Sequence, residues 1–209
     1  MPIIATPNIF ANPDVEIAIW EITESEEQLM QLCNHNLIAN ADALNIKLEK
    51  RRKEILVEHL LLHSLFGNSY QLTHQENGAP KLNKNINLSI THSMNYVAIA
   101  VSKQNIGIDI EQLSNKVIRV RNKFLSELEQ QALPLTDLTA NTVAWTAKEA
   151  LYKAAHIDGI ALANGLCIDA MAIAKSTECY KCHIGHNRWF STYSTVFNNH
   201  AMSLTIEKE

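Results

Sequence analysis

The feature that constrains this chain most is a six-residue run, IGIDIE (106–111), in which apolar positions alternate strictly with a glycine and two acids. A strand sends successive side chains to opposite faces. Ile106, Ile108 and Ile110 therefore form one apolar face, and Gly107, Asp109 and Glu111 the other. Two acids on one face, roughly 6–7 Å apart at the backbone, repel each other unless a base or cation lies between them. An edge strand with its acidic face in water satisfies the same pattern. Gly107 argues instead for a close neighbour, because it removes a side chain beside the acids and lets something large approach. Two more short apolar runs, INLSI (86–90) and YVAIAV (96–101), precede this one. The polar break between them carries His92, flanked by Thr91 and Ser93.

The pattern around this centre is mixed. DVEIAIWEI (14–22) alternates as a strand, and residues 25 to about 66 read as helical. Ile55, Leu56, Leu60 and Leu61 give that helix an apolar face, and Gly67 gives it a stop. QENGAPKLN (75–83) has turn composition. Residues 122–133 and 141–155 read as helices, and β character returns after Gly159 in WFSTYSTVF and HAMSLTI. The order implies an α+β fold, and suggests two similar halves meeting near residue 105. At 209 residues, 46% apolar and 19% charged, the composition is that of a soluble globular protein. It holds no run of the roughly 18 apolar residues that a membrane-spanning helix needs. No basic leader precedes residue 20, and four cysteines without an export signal read as reduced, so the expected location is cytoplasmic. A net charge of -4 argues against nucleic acid as the partner. Two runs, KLEKRRK (47–53) and KVIRVRNK (116–123), are locally basic. They read either as solvated helix faces or as contacts for phosphates or an acidic partner.

A second motif follows some 40 residues later. NTVAWTAKEALYKAA (141–155) is rich in good helix formers, and Asn141 or Thr142 can cap it. Trp145, Glu149 and Lys153 fall at i, i+4 and i+8 along one stripe, with Lys148 and Tyr152 beside it. Taken alone, Glu149 and Lys153 could be a surface ion pair. Taken together, GIDIE and WTAKEALYK resemble the paired signature of the 4′-phosphopantetheinyl transferase superfamily. The turn ENGAPKL, the histidine of SITHS and the segment FLSELE stand in that family's order. The likeness covers roughly residues 47 to 165. The length is similar to the longer, pseudo-dimeric, surfactin-synthetase-activating type.

The resemblance implies a 4′-phosphopantetheinyl transferase fold, with two similar α/β halves forming an intramolecular pseudo-dimer that acts as a monomer. Residues 1–105 would serve the nucleotide side of coenzyme A, and residues 106–209 would carry the metal-binding acids and the catalytic helix. The implied reaction moves the 4′-phosphopantetheine arm of coenzyme A to a serine of an apo acyl or peptidyl carrier protein and releases adenosine 3′,5′-bisphosphate. Asp109, Glu111 and Glu149 match the family's metal positions, for Mg²⁺ or Mn²⁺. Lys153 matches a lysine that reaches phosphate, and His92, next to Ser93, matches a phosphate-contacting histidine. Glu129 is the implied general base, with Glu127 and a water on the metal as competitors. The sequence departs from the family at Gly78-Ala79-Pro80, where relatives carry Gly-Lys-Pro, and at His59, where many carry arginine. Lys81, Arg51 and Arg52 are then expected to take the 3′-phosphate and adenine end, or coenzyme affinity falls. An acidic carrier protein gives Arg119, Arg121 and Lys123 a purpose as a docking surface.

Other readings stay open on the sequence alone. A metal-dependent phosphohydrolase or nuclease also needs clustered acids and a lysine. A non-catalytic coenzyme A or carrier-protein binding module would keep the fold without turnover. CYKCH (179–183) matches the C-x-x-C-H haem attachment pattern, and Cys179, Cys182, His183 and His186 resemble a weak zinc set. Coincidence in a strand-rich tail explains that run best. Purified protein is expected to show neither Soret absorption nor stoichiometric zinc, and either signal would reinstate the motif.

Overall fold

In the computed structural model, which describes residues 3–4, 14–36, 38, 43 and 45–208, the alternating runs become strands of two separate sheets. The first sheet has the order β1 (Ile3–Ile4), β2 (Val15–Glu21), β6 (Tyr96–Ser102), β5 (Asn87–Ser93), antiparallel throughout. The second has the order β7 (Ile106–Gln112), β11 (His200–Glu207), β10 (Arg188–Phe197), β9 (Cys179–Ile184), β8 (Leu166–Ile168), also antiparallel. A small hairpin, β3 (Leu72–His74) and β4 (Pro80–Leu82), carries the Gly-Ala-Pro turn. The fold is mixed α+β.

The helical stretch after Ser25 divides into α1 (Glu26–His35) and α2 (Glu49–Phe66). Ser25 and Gln28 form a reciprocal capping box at the start of α1, and Gly67 ends α2 at φ 58. The span read as one helix over 122–133 is two, α3 (Lys116–Phe124) and α4 (Glu127–Ala132). They break at Leu125 and Ser126, because Ser126 caps α4 by accepting from Glu129 N. The long helix α5 runs over Leu138–Ala155, and its cap is Asp137 rather than Asn141 or Thr142. Two short helices, α6 (Leu162–Gly165) and α7 (Ala170–Ala174), flank β8.

Three apolar clusters stack these elements as helix, sheet, sheet, helix. Trp20, Val97, Ile99 and Val101 of the first sheet pack under Leu56, Leu60 and Leu61 of α2. The opposite face of that sheet, with Ile19, Ala98 and Ala100, meets Ile106, Ile108 and Ile110 of β7 and Met202 and Leu204 of β11. The far face of the second sheet, with Cys182, Phe190 and Ala201, packs under Ala144, Ala147 and Leu151 of α5. The isoleucine face of β7 is thus the joint between the sheets, and its acidic face looks toward α5.

Gly107 has a sharper reason than approach by a ligand. A Cβ there would stand 1.9 Å from the Ala150 carbonyl oxygen and 2.8 Å from Ala154 N. The large neighbour is the protein's own helix, and its backbone cannot yield as a side chain tip could. Gly107→Ala is expected to destabilise the protein by about 3 kcal/mol or more, since backbone must move to relieve the overlap. Urea unfolding measures it, and a loss below about 0.5 kcal/mol would contradict this packing.

Candidate active site

The close approach at Gly107 lays one stripe of α5 over the acidic face of β7. Lys153 Nζ stands 2.8 Å from Asp109 Oδ1, donates to the Ile108 carbonyl at 2.9 Å and reaches the Ile90 carbonyl of β5 at 3.4 Å. The lysine therefore sits where the two sheets and α5 meet. Thr91 of β5 donates to the same Asp109 oxygen at 3.1 Å. Glu111 accepts from Trp145 Nε1 at 3.2 Å, and Trp145 also packs edge-on against Phe124, so it both packs α5 and touches the acids.

Negative charge exceeds positive here. Burial holds the Glu149 carboxyl up at about 7, and the charges of Asp109 and Glu111 push the same way against Lys153. Burial, then Asp109, also raises Glu111, while the Trp145 bond and Lys153 oppose the shift. Asp109 Oδ2 is buried and has no hydrogen-bond partner. Among the described residues no three acid, histidine or cysteine side chains already stand together as a ligand set. Asp109 spends one oxygen on Lys153 and Thr91 instead. An orphaned buried carboxylate oxygen beside two acids held up by burial and then by neighbouring negative charge is nonetheless the donor set that a hard divalent cation takes. The residues fit such an ion.

A cavity of about 300 Å³ opens beside Lys153, walled by Gly78, Ala79 and Pro80 of the turn, Ser89 and Ile90 of β5, and Tyr152 and His156 of α5's end. Asn77 closes one rim by donating to Asp158 at 2.8 Å. His92 is about half-exposed, with Nδ1 3.8 Å from Glu54. Its burial-lowered pKa is partly restored by Glu54 and lowered further by Arg51 and Lys153, so these groups share one neighbourhood. Arg51 donates to Glu54 at 3.2 Å and to Glu58 at 2.9 Å. Ser93 is buried and accepts from Gln112 N at 3.2 Å, beside a second cavity of about 330 Å³ lined by Met94, Glu111, Val117 and Trp145.

Several expected site residues lie elsewhere. Arg52 is held bidentately by Glu26 at 2.7 Å and by the Ile46 and Lys47 carbonyls, so it ties α2 to α1. His59 is buried against Tyr70, within 3.0 Å of its hydroxyl. Lys81 faces a different cavity from Ala79. Arg121 is buried and donates to the Gln130 and Leu133 carbonyls at 2.8 and 2.9 Å, whereas Arg119 and Lys123 are exposed. Cys179 and Cys182, three apart on β9, fall on opposite faces, one exposed and one buried. His183 Nδ1 meets the Gly185 carbonyl. That strand geometry does not converge the motif on a metal.

Glu129, expected as the base, is buried and saturated with donors. It accepts from Ser126 N at 2.8 Å, Ile168 N at 3.0 Å and Lys148 Nζ at 2.8 Å. Lys148 is fully buried and also donates to the Leu162 and Leu166 carbonyls. Sequence reading gave Lys148 no role. The signal was available: it sits four residues after Ala144 and three before Leu151, in the middle of the buried stripe, where a lysine requires an acid.

Residues 105–204 match the model of the 4′-phosphopantetheinyl transferase superfamily. The match spans β7, α5 and the second sheet. The chain is similar to the 4′-phosphopantetheinyl transferase gsp of Aneurinibacillus migulanus, 29% identical over 107 residues, which are 48% of this chain and 45% of that protein. The chain thus spans about half the length of the curated relative it matches.

Lys148→Met is expected to destabilise the fold by about 3–5 kcal/mol, because it strands the Glu129 carboxylate in a buried site. Chemical denaturation measures this, and a neutral result would show that the pair contributes nothing to α5 docking.

Proposed function

We propose that the protein transfers the 4′-phosphopantetheine arm of coenzyme A to a serine of an apo carrier protein and releases adenosine 3′,5′-bisphosphate. The observation that carries this reading is the junction of β7 and α5. There Asp109, Glu111 and Glu149 share one electrostatic field with Lys153, which also lines the cavity beside the Gly-Ala-Pro turn. The family match over the same residues supports it. Phosphoryl transfer asks a protein mainly for alignment and charge neutralisation, which is what this cluster offers.

In this reading Asp109, Glu111 and Glu149 would hold Mg²⁺ or Mn²⁺. When bound, the ion neutralises the diphosphate and makes the bisphosphate a better leaving group. Lys153 leaves Asp109 for a phosphate oxygen, and His92 of β5 and Arg51 of α2 contact the phosphates. The carrier serine oxygen attacks the phosphorus nearer the pantetheine. The bond to the bridging oxygen breaks, adenosine 3′,5′-bisphosphate departs, and the hydroxyl proton passes to solvent at the open rim. Glu129 acts as the anchor of α5 and not as the base, because all its near neighbours are donors already bound to it. Residues 1–105 and 106–209 form the two halves of a pseudo-dimer; in support, each half backs an antiparallel sheet with an 18-residue helix. Arg119 and Lys123 remain available to steer an acidic carrier, and Arg121 holds α3 against α4. Phosphohydrolase and non-catalytic binding gain no support from the family match.

The test is the mass of an apo carrier protein after incubation with enzyme, coenzyme A and Mg²⁺. A gain of one phosphopantetheine is expected. In Asp109→Ala and Glu149→Ala the rate should fall at least about a hundredfold, in line with removal of a principal electrostatic stabiliser. Unchanged mass across acyl, peptidyl and aryl carriers would overturn the proposal.

A further inference from the structure

The sheet face beneath α5 is polar along a row where apolar core is expected. Asp109 of β7 pairs across the ladder with Ser203 of β11, and Ser203 with Ser194 of β10. Both serines are buried, as are Thr146 of α5 and Tyr180 of β9. The four hydroxyls form one chain. Tyr180 lies 2.7 Å from Ser194, Ser194 2.8 Å from Ser203, and Ser203 2.7 Å from Thr146. Thr146 also donates to the Val143 carbonyl at 3.0 Å.

Counting protons fixes the direction of the chain, because a hydroxyl donates once. Thr146 spends its proton on Val143, so it accepts from Ser203, Ser203 from Ser194, and Ser194 from Tyr180. Burial pushes the Tyr180 phenol up, so it keeps the proton it gives. Within this chain the link that crosses from sheet to helix is Ser203 to Thr146. It stands beside the acids: Thr146 follows Trp145 and precedes Glu149 by one turn, and Ser203 is the ladder partner of Asp109. Around it the helix presents methyl groups, with Ala144, Ala147, Ala150 and Ala154 fully buried. Methyl contacts let a helix approach and are indifferent to its rotation, whereas a hydrogen bond weakens steeply off its line. The end of α5 has ties of its own, Lys153 to the Ile108 carbonyl and Arg188 to the Ala155 carbonyl. A cut at Thr146 would free the stretch carrying Trp145 and Glu149 and leave the cavity wall around Lys153 in place.

We propose that Ser203 and Thr146 are positioning residues for the cation site: their hydrogen bond fixes the rotation of α5 that turns Glu149 toward Asp109. The inference rests on the transfer reading above, and adds to it two residues that act through Glu149.

Mn²⁺ binding by electron paramagnetic resonance and transfer kinetics, both on the intact protein, test this. Ser203→Ala removes the link without stranding a proton, because Ser194 lines a cavity of about 520 Å³ where its hydroxyl can turn to water. In Ser203→Ala and Thr146→Val the Mn²⁺ dissociation constant should rise, and kcat fall, by about tenfold or more, the scale of losing a group that orients a ligand. KM for coenzyme A should hold. Thr146→Ser, which keeps the hydroxyl, should behave as wild type. Tyr180→Phe cuts the chain at its far end and should lower the urea midpoint while Mn²⁺ binding and kcat hold. Wild-type Mn²⁺ affinity in Ser203→Ala, or an equal loss in Tyr180→Phe, would overturn the positioning role. Weakened Mn²⁺ binding in Ser203→Ala, beside a wild type that transfers to no carrier, would leave that role standing and count against the transfer reading.

Discussion

Three side-chain hydroxyls fix how the two sheets meet. Ser89, Thr91 and Ser93, on one face of β5, accept from the backbone N–H groups of Ile108, Ile110 and Gln112 at 3.0–3.2 Å. Those amides lie on the side of β7 away from β11, where they would otherwise be buried without partners. The offset is 19 residues at each step. A slip of one residue would set apolar side chains against the amides and turn the acidic face of β7 away from α5. The ladder therefore sets more than stability: it determines that Thr91 reaches Asp109, and that Lys153 touches carbonyls of both strands.

Much of this was legible in the sequence, and its limits have physical causes. Strict alternation in IGIDIE gave the two faces of β7 correctly, because the strand is buried on both sides by different partners. The helical spacing of Trp145, Glu149 and Lys153 likewise placed them on one stripe. Gly107 announced a close neighbour, but a sequence cannot say whether that neighbour is a ligand or a helix backbone. Thr91 and Ser93 of β5 looked like a polar break, since a residue that satisfies another strand's amides has the same composition as a turn. Arg52, Arg121 and Glu129 read as available charges. Each is consumed by a partner distant in sequence or in an adjacent loop, and only tertiary contacts reveal that.

The same contrast separates two kinds of charged group in the molecule. Glu129 with Lys148, and Arg52 with Glu26, are matched pairs whose bonds are complete, and they hold helices in place. The acids around β7 are incomplete. One lysine faces three carboxylates, one buried oxygen lacks any donor, and burial lifts two of the carboxyls. Structural clusters tend toward saturation. A cluster left with surplus charge, whose lysine also lines a cavity, has the form of a site that something else completes.

The central claim is that Asp109, Glu111 and Glu149 together take one divalent cation. Electron paramagnetic resonance of Mn²⁺, titrated with coenzyme A present, counts bound ions directly. The account predicts one tightly bound ion per chain in the wild type and its loss in both Asp109→Ala and Glu149→Ala. Equal Mn²⁺ binding by wild type and by both variants would contradict it.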